Sequence, residues 1–169
     1  MKTWNDYKAT YRADADIFDF ARQGDLRSFA NMLSNNRTID VNVQNHRGYS
    51  ALMLAVYNGE KDFCETLLRC GAMSNSTDFS GNTVLMAAAF KGNVDIFKLL
   101  LTFGATLTLK NKTNMDVRDW ALMFGRTEIL QFLDKNYPTE IKASRLKSLF
   151  RFIRLGFLLL KEKTTIKTE

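Results

Sequence analysis

An all-α solenoid of stacked antiparallel helix pairs is the fold class that this 169-residue chain predicts. Three observations carry the prediction. Ala55, Ala88 and Ala121 lie 33 residues apart, and so do Gly59, Gly92 and Gly125, and Leu67, Leu100 and Leu133. A period this strict marks a repeat whose units bury their apolar faces only against one another. Within each period the apolar residues fall into two runs at helical spacing. In the two full copies each run closes on or near a glycine, which tolerates the left-handed backbone of a tight helix end. A stack of this kind encloses no cleft, and its long open surface suits binding rather than chemistry.

The elements follow in order along the chain. Residues 1–15 form an N-terminal extension in which Trp4, Tyr7 and Tyr11 recur at i, i+3 and i+7, the spacing of a short capping helix. A repeat domain spans 16–138, in units of about 16–46, 47–79, 80–112 and 113–138. The first unit pairs a helix over 17–24 with one over 26–33, and Asp14 and Asp16 read as helix-cap and solvent residues. Gly24 and Gly59 are 35 residues apart, two more than the period. The excess belongs to the segment around 35–40, because Asn42 and Asn75 are again 33 apart and surface loops tolerate insertions. In the next two units Ser50 and Thr83 cap the first helix, each hydroxyl accepting from an orphan N–H. In the third copy Asn114 replaces the opening glycine and Asp116 is the cap. Arg118 and Asp119 add polarity there, as befits a terminal repeat with one side in water.

The chain resembles the ankyrin repeat family. The resemblance rests on Gly-x-Ser/Thr-x-Leu-x-x-Ala at 48–55 and 81–88, and on Leu-Leu-x-x-Gly-Ala within 67–72 and 100–105. It covers about residues 17–137. It implies helix pairs joined by β-turn fingers and stacked into a curved array, with the fingers and inner helices lining a concave, partner-binding face. The sequence departs from the family pattern at two sets of positions. Ala51, Val84 and Val117 stand where the family often has proline, and Met53, Met86 and Asp119 where it often has histidine. Methionine adds packing but no strong hydrogen bond, so burial is expected to hold this stack together.

Transferred position by position, the resemblance implies a partner-binding face made of finger and inner-helix residues. The fingers contribute His46, Arg47, Tyr49, Phe79, Ser80, Asn82, Lys112 and Met115. The inner-helix ends contribute Tyr57, Asn58, Phe90, Lys91 and Phe124. Aromatic residues at positions that should face water need a reason, and large rings with polar handles are common anchors in interfaces. Packing against neighbouring fingers is the other reading, and Phe90 and Phe124 suit it as well as they suit binding.

The inventory for chemistry is thin. His46 is the only histidine, no Cys/His cluster has metal spacing, and no glycine-rich loop follows a strand. The expectation is therefore no enzyme, no cofactor and no metal. Cys64 and Cys70, six residues apart on one helix, fall on different faces, so no local disulfide is expected. The opening residues contain no apolar h-region, and the cytoplasm is the expected compartment.

Charge is concentrated at one end. From residue 139 onward, eight Lys/Arg face three Glu, so this segment carries +5 of the chain's +6 and leaves +1 for everything before it. Nucleic acid is accordingly not expected as a partner, because the repeat body is nearly neutral. On a helix over 141–163, Lys147, Arg151, Arg154 and Lys161 share one stripe, with a wide apolar side opposite that includes Phe152, Leu155 and Leu159. Three roles fit this basic, apolar C-terminal helix: capping the stack, lying peripherally on an anionic membrane surface, or docking to a partner or another copy. The function expected from the whole chain is protein–protein interaction, as adaptor or inhibitor, through the concave face. The alternative is a peripheral membrane protein anchored by its tail.

Overall fold

The computed structural model describes residues 16–35 and 39–138, which form eight helices and no extended sheet. In chain order these are α1 (Ile17–Gln23), α2 (Leu26–Asn35), α3 (Ala51–Asn58), α4 (Lys61–Arg69), α5 (Val84–Lys91), α6 (Val94–Thr102), α7 (Val117–Met123) and α8 (Thr127–Asn136). The expected N-terminal capping helix and C-terminal helix, and part of the insertion around 35–40, fall outside the described residues.

Helix ends fall where the side chains put them. Asp16, Ser50, Thr83 and Asp116 are the N-caps of α1, α3, α5 and α7, each accepting from backbone N–H groups of the first turn. At the other end of α5, Gly92 adopts φ 74° and its N–H reaches Ala88 and Ala89 carbonyls. Only two residues then separate α5 from α6, so the two helices fold back on one another as a hairpin. The same holds for α1/α2 and α3/α4, while α7/α8 uses three residues.

The hairpins stack into two layers. Helices α1, α3, α5 and α7 pack in sequence as the inner layer, and α4, α6 and α8 as the outer one. An inner helix in mid-stack has neighbours on three sides. Accordingly Ala51 through Val56 of α3 and Val84 through Ala89 of α5 are all buried. Ala55, Ala88 and Ala121 are fully buried, and their small side chains let adjacent backbones approach. The outer helices bury one stripe each, as Phe63, Cys64, Leu67 and Leu68 do on α4. Each fully buried leucine in these stripes contributes about 1.5–3 kcal/mol. Phe29 meets Phe63 at 5.2 Å, and Phe97 meets Phe132 at 6.1 Å, linking successive outer helices.

Met53 and Met86 are fully buried in the inner layer. Met86 also completes a weak capping box, its sulfur accepting from the Thr83 N–H at 3.4 Å. The third copy departs from expectation. Asp119 does not face water: it is buried, and its carboxylate accepts from the Asp116 N–H at 3.2 Å. Its polarity is used inside the cap. Arg118 pairs with Asp134 and donates to the Tyr137 carbonyl, tying α7 to the end of α8.

Burial is joined by polar ties between repeats that the methionine substitutions did not suggest. Asn42 donates to the Gly71 carbonyl at 3.1 Å and accepts from the Met73 N–H at 2.8 Å. Asn75, one period later, repeats the pattern with the Gly104 carbonyl and the Thr106 N–H. Gln44 donates to the Thr77 carbonyl at 2.7 Å.

Candidate protein-binding face

Three turns, one per repeat boundary, project beside the inner helices. Each opens on Asn45, Asp78 or Asn111, spaced 33 residues apart. The first closes with the Asn45 N–H donating to the Tyr49 carbonyl at 3.0 Å and the Gly48 N–H to the Asn45 carbonyl at 2.8 Å. The Asp78 and Asn111 turns repeat both bonds. In all three the opening side chain accepts two backbone N–H bonds: from Arg47 and Tyr49, from Ser80 and Asn82, and from Thr113 and Met115. The fingers are thus Asx-stabilised turns, a device specific to Asn and Asp. This second periodic signal is present in the sequence beside the alanine, glycine and leucine period.

The turns need left-handed backbone at their fourth residue. Gly48 (φ 78°) and Gly81 (φ 76°) provide it in two fingers, and Asn114 (φ 60°) in the third. Asparagine is one of the few residues with a side chain that visits this region readily. Asn114 therefore preserves the finger despite replacing its glycine. At Gly48 there is a second requirement. A Cβ there would stand 2.8 Å from the Phe79 backbone nitrogen and 2.7 Å from its ring, so the second finger leans directly on the first.

The expected partner-binding residues divide by position. His46 and Arg47 are exposed at the first finger tip, Phe79 and Ser80 at the second, and Lys112 at the third. Phe79 is 61% exposed, high for a phenylalanine. Tyr49, Asn82 and Met115 sit half-buried on the returning arms. Asn82 is committed within the finger layer: its amide donates to Asp78 at 2.9 Å and its carbonyl oxygen accepts from Asn111 at 2.8 Å. Tyr57, Asn58, Phe90 and Lys91 occupy the last turns of α3 and α5, and Phe124 caps α7. The candidate tail residues Lys147, Arg151, Phe152, Arg154, Leu155, Leu159 and Lys161 lie outside the described residues.

The structure joins four of the five aromatic members of this set, all but Phe79, into one strip. Tyr49 meets Tyr57 at 5.9 Å between ring centroids, Tyr57 meets Phe90 at 6.2 Å, and Phe90 meets Phe124 at 4.6 Å. All three pairs are edge-to-face, the arrangement the ring quadrupole favours. Trp120 closes the strip against Phe90 at 6.2 Å and Phe124 at 5.4 Å. Its spacing four residues before Phe124 places it on the same side of α7, yet it was not among the residues singled out from the sequence. Its indole Nε1 is buried and, among the described residues, has no hydrogen-bond partner. Arg126 braces the strip from behind, its Nε donating to the Phe90 carbonyl at 2.8 Å. Burial, reinforced by nearby Tyr49 and Asp78, pushes the Tyr57 hydroxyl up to about 12.

Among the described residues no group of His, Cys, Asp and Glu could hold a metal ion. Also among them, no helix is long and apolar enough to cross a membrane.

An open stack of helix hairpins with projecting turns and a continuous aromatic strip defines a repeat scaffold for recognition. The chain belongs to the ankyrin repeat family: the family model describing ankyrin repeats in three copies matches residues 17–111 and 73–144. Members of this family generally serve as protein–protein interaction modules and are typically not enzymes. Among curated proteins, the chain is 30% identical over 125 residues to the inactive serine/threonine-protein kinase TEX14 of Mus musculus, covering 72% of this chain and 8% of that protein. It is 30% identical over 105 residues to protein fem-1 homolog A-like of Mus musculus, covering 62% of this chain and 16% of that protein. Against alpha-latroinsectotoxin-Lt1a of Latrodectus tredecimguttatus the identity is 28% over 104 residues, covering 62% of this chain and 7% of the toxin. The chain therefore spans only a small part of these relatives.

Proposed function

We propose that this chain captures a partner protein through the face built from its finger tips and inner-helix ends, acting as an adaptor or an inhibitor without chemistry of its own. The observation that carries this reading is the ring-to-ring strip from Tyr49 through Tyr57 and Phe90 to Phe124, flanked by the exposed Phe79. Half-exposed aromatic rings on a rigid scaffold supply contact area at little entropic cost on binding. The test is affinity capture with wild type, Phe79→Ala and Tyr57→Ser, all shown to melt alike. Loss of the same captured protein from both variants supports the reading, and equal capture by all three sinks it. Adding the captured protein's own activity assay separates adaptor from inhibitor.

A second reading, peripheral membrane attachment, is favoured by the +5 charge and wide apolar side of residues 139–169. Sedimentation of the full chain with vesicles containing phosphatidylserine tests it. A version ending at residue 138 should remain in the supernatant, and if it pellets equally the tail is not the anchor.

A further inference from the structure

Exposed cations stand on the finger tips and inner-helix end beside the aromatic strip. Arg47 and Lys112 are exposed at finger tips, Lys110 is exposed just before the third finger, and Lys91 is exposed at the end of α5 directly after Phe90. Among the described residues none of these four cations takes part in an ion pair. Three carboxylates lie along the same arms, and the local backbone engages each, Asp116 accepting from the N–H groups of Arg118 and Asp119. Asp78 accepts from the N–H groups of Ser80 and Asn82 and from the Asn82 amide, and Asp40 accepts from the Asn42 N–H. The outer layer differs. Lys61, Arg69, Lys98 and Lys135 stand among Asp62, Glu65, Asp95, Glu128 and Asp134, with Arg69 paired to Glu65 at 2.6 Å and Lys98 lying 5.3 Å over the Phe132 ring. On the side of the rings, four exposed cations therefore take part in no ion pair among the described residues.

The cations and rings lie near one another along the chain. Arg47 is two residues before Tyr49, and Lys91 follows Phe90. The Lys112 N–H donates to the Ser80 carbonyl at 3.0 Å, which holds the third finger tip beside Phe79's. An apolar anchor ringed by unpaired cations selects for a ligand that combines an apolar group with negative charge.

We propose that the occupant of this face is an acidic peptide segment of the partner: an aromatic or leucine side chain on the Tyr57–Phe90–Phe124 strip, with Asp or Glu residues meeting Arg47, Lys91, Lys110 and Lys112. This deepens the protein-recognition reading and rests on it. The chain's own residues 139–169 are a poor occupant, because their net +5 would face cations.

The test uses the full chain and a phage-displayed library of random dodecapeptides. Enriched peptides should carry a net negative charge around an aromatic or leucine residue. A representative peptide should bind about tenfold more weakly to Arg47→Glu/Lys112→Glu, two exposed positions whose reversal should leave the thermal melt unchanged, and should weaken as NaCl rises. Phe79→Ala should also weaken it. Enriched peptides that are neutral or basic yet lost on Phe79→Ala overturn the acidic assignment and leave the binding face standing. Peptides insensitive to Phe79→Ala and to charge reversal overturn both. Failure to enrich any peptide overturns the present proposal, while the protein-capture experiment still judges the face.

Discussion

The rings of Phe90 and Phe124 meet edge to face, 4.6 Å between centroids and 82° between planes, across the boundary between α5 and α7. This is the tightest ring contact in the aromatic strip, and it makes the strip part of the packing between repeats as well as a surface. A double-mutant cycle with Phe90→Leu and Phe124→Leu should show a coupling of about 0.5–1.5 kcal/mol in urea unfolding. Strict additivity would mean that the two rings serve the surface alone.

Asn75 bridges the Gly104 carbonyl and the Thr106 N–H from an exposed position. Asn75→Ala removes both bonds and should lower stability by about 1–2 kcal/mol. The Met73 and Thr106 amides, which donate to Asn42 and Asn75, should exchange more slowly than exposed finger-tip amides such as that of His46. Rapid exchange at both would restore the expectation that the stack is held mainly by burial.

Gly48 and Asn114 occupy equivalent left-handed positions in different fingers. Gly48→Ala adds a backbone penalty of about 1–2 kcal/mol and a contact 2.8 Å from the Phe79 nitrogen. Asn114→Ala meets the backbone penalty and loses what the asparagine side chain holds, but adds no new Cβ, because asparagine already carries one. Thermal melts should therefore rank Gly48→Ala below Asn114→Ala. Equal melts for the two alanine variants would deny the finger-to-finger contact at Gly48.

Cys64 is fully buried on α4, and burial, with Glu60 nearby, pushes its thiol up to about 12. Cys70 is exposed. Native protein should expose one thiol per chain to Ellman's reagent and a second only on denaturation. Two rapidly reacting thiols in the native state would contradict the burial of Cys64.

Tyr57 and Cys64 both hold their protons more tightly folded than unfolded, at about 12 against 10.0 for the tyrosine and 9.0 for the cysteine. Their contribution to stability is complete below the unfolded values and drains as pH rises towards about 12. The melting temperature should fall above pH 9, and Tyr57→Phe should flatten the part of that fall above pH 10. A slope unchanged in Tyr57→Phe would show that the hydroxyl titrates alike in both states.

Much of this architecture was legible in the residues. The 33-residue spacing of alanine, glycine and leucine predicts the helix pairs, and Ser50, Thr83 and Asp116 stand as the caps their chemistry suggests. The aromatic positions Tyr49, Tyr57, Phe79, Phe90 and Phe124 could be named as a set, but not ordered. Whether a ring on one repeat touches a ring on the next depends on the offset between helices and on rotamers. That is why Trp120 was missed and why Asn82 proved to be engaged by Asn111. The burial of Asp119 was hidden for a related reason: a carboxylate at a terminal repeat suggests water until the cap it completes is seen.

The sequence by itself determined the period, the helix ends, the turn residues and the imbalance of charge between the repeat body and residues 139–169. These are properties of neighbouring residues, set by backbone conformational preference, capping and composition. Only the tertiary structure decided that Phe79 leans on Gly48, that Asn42 and Asn75 tie successive repeats, and that separate rings become one strip flanked by unpaired cations. Those contacts join residues roughly one repeat apart. They exist only once burial of the inner helices has brought consecutive units into contact and fixed their register.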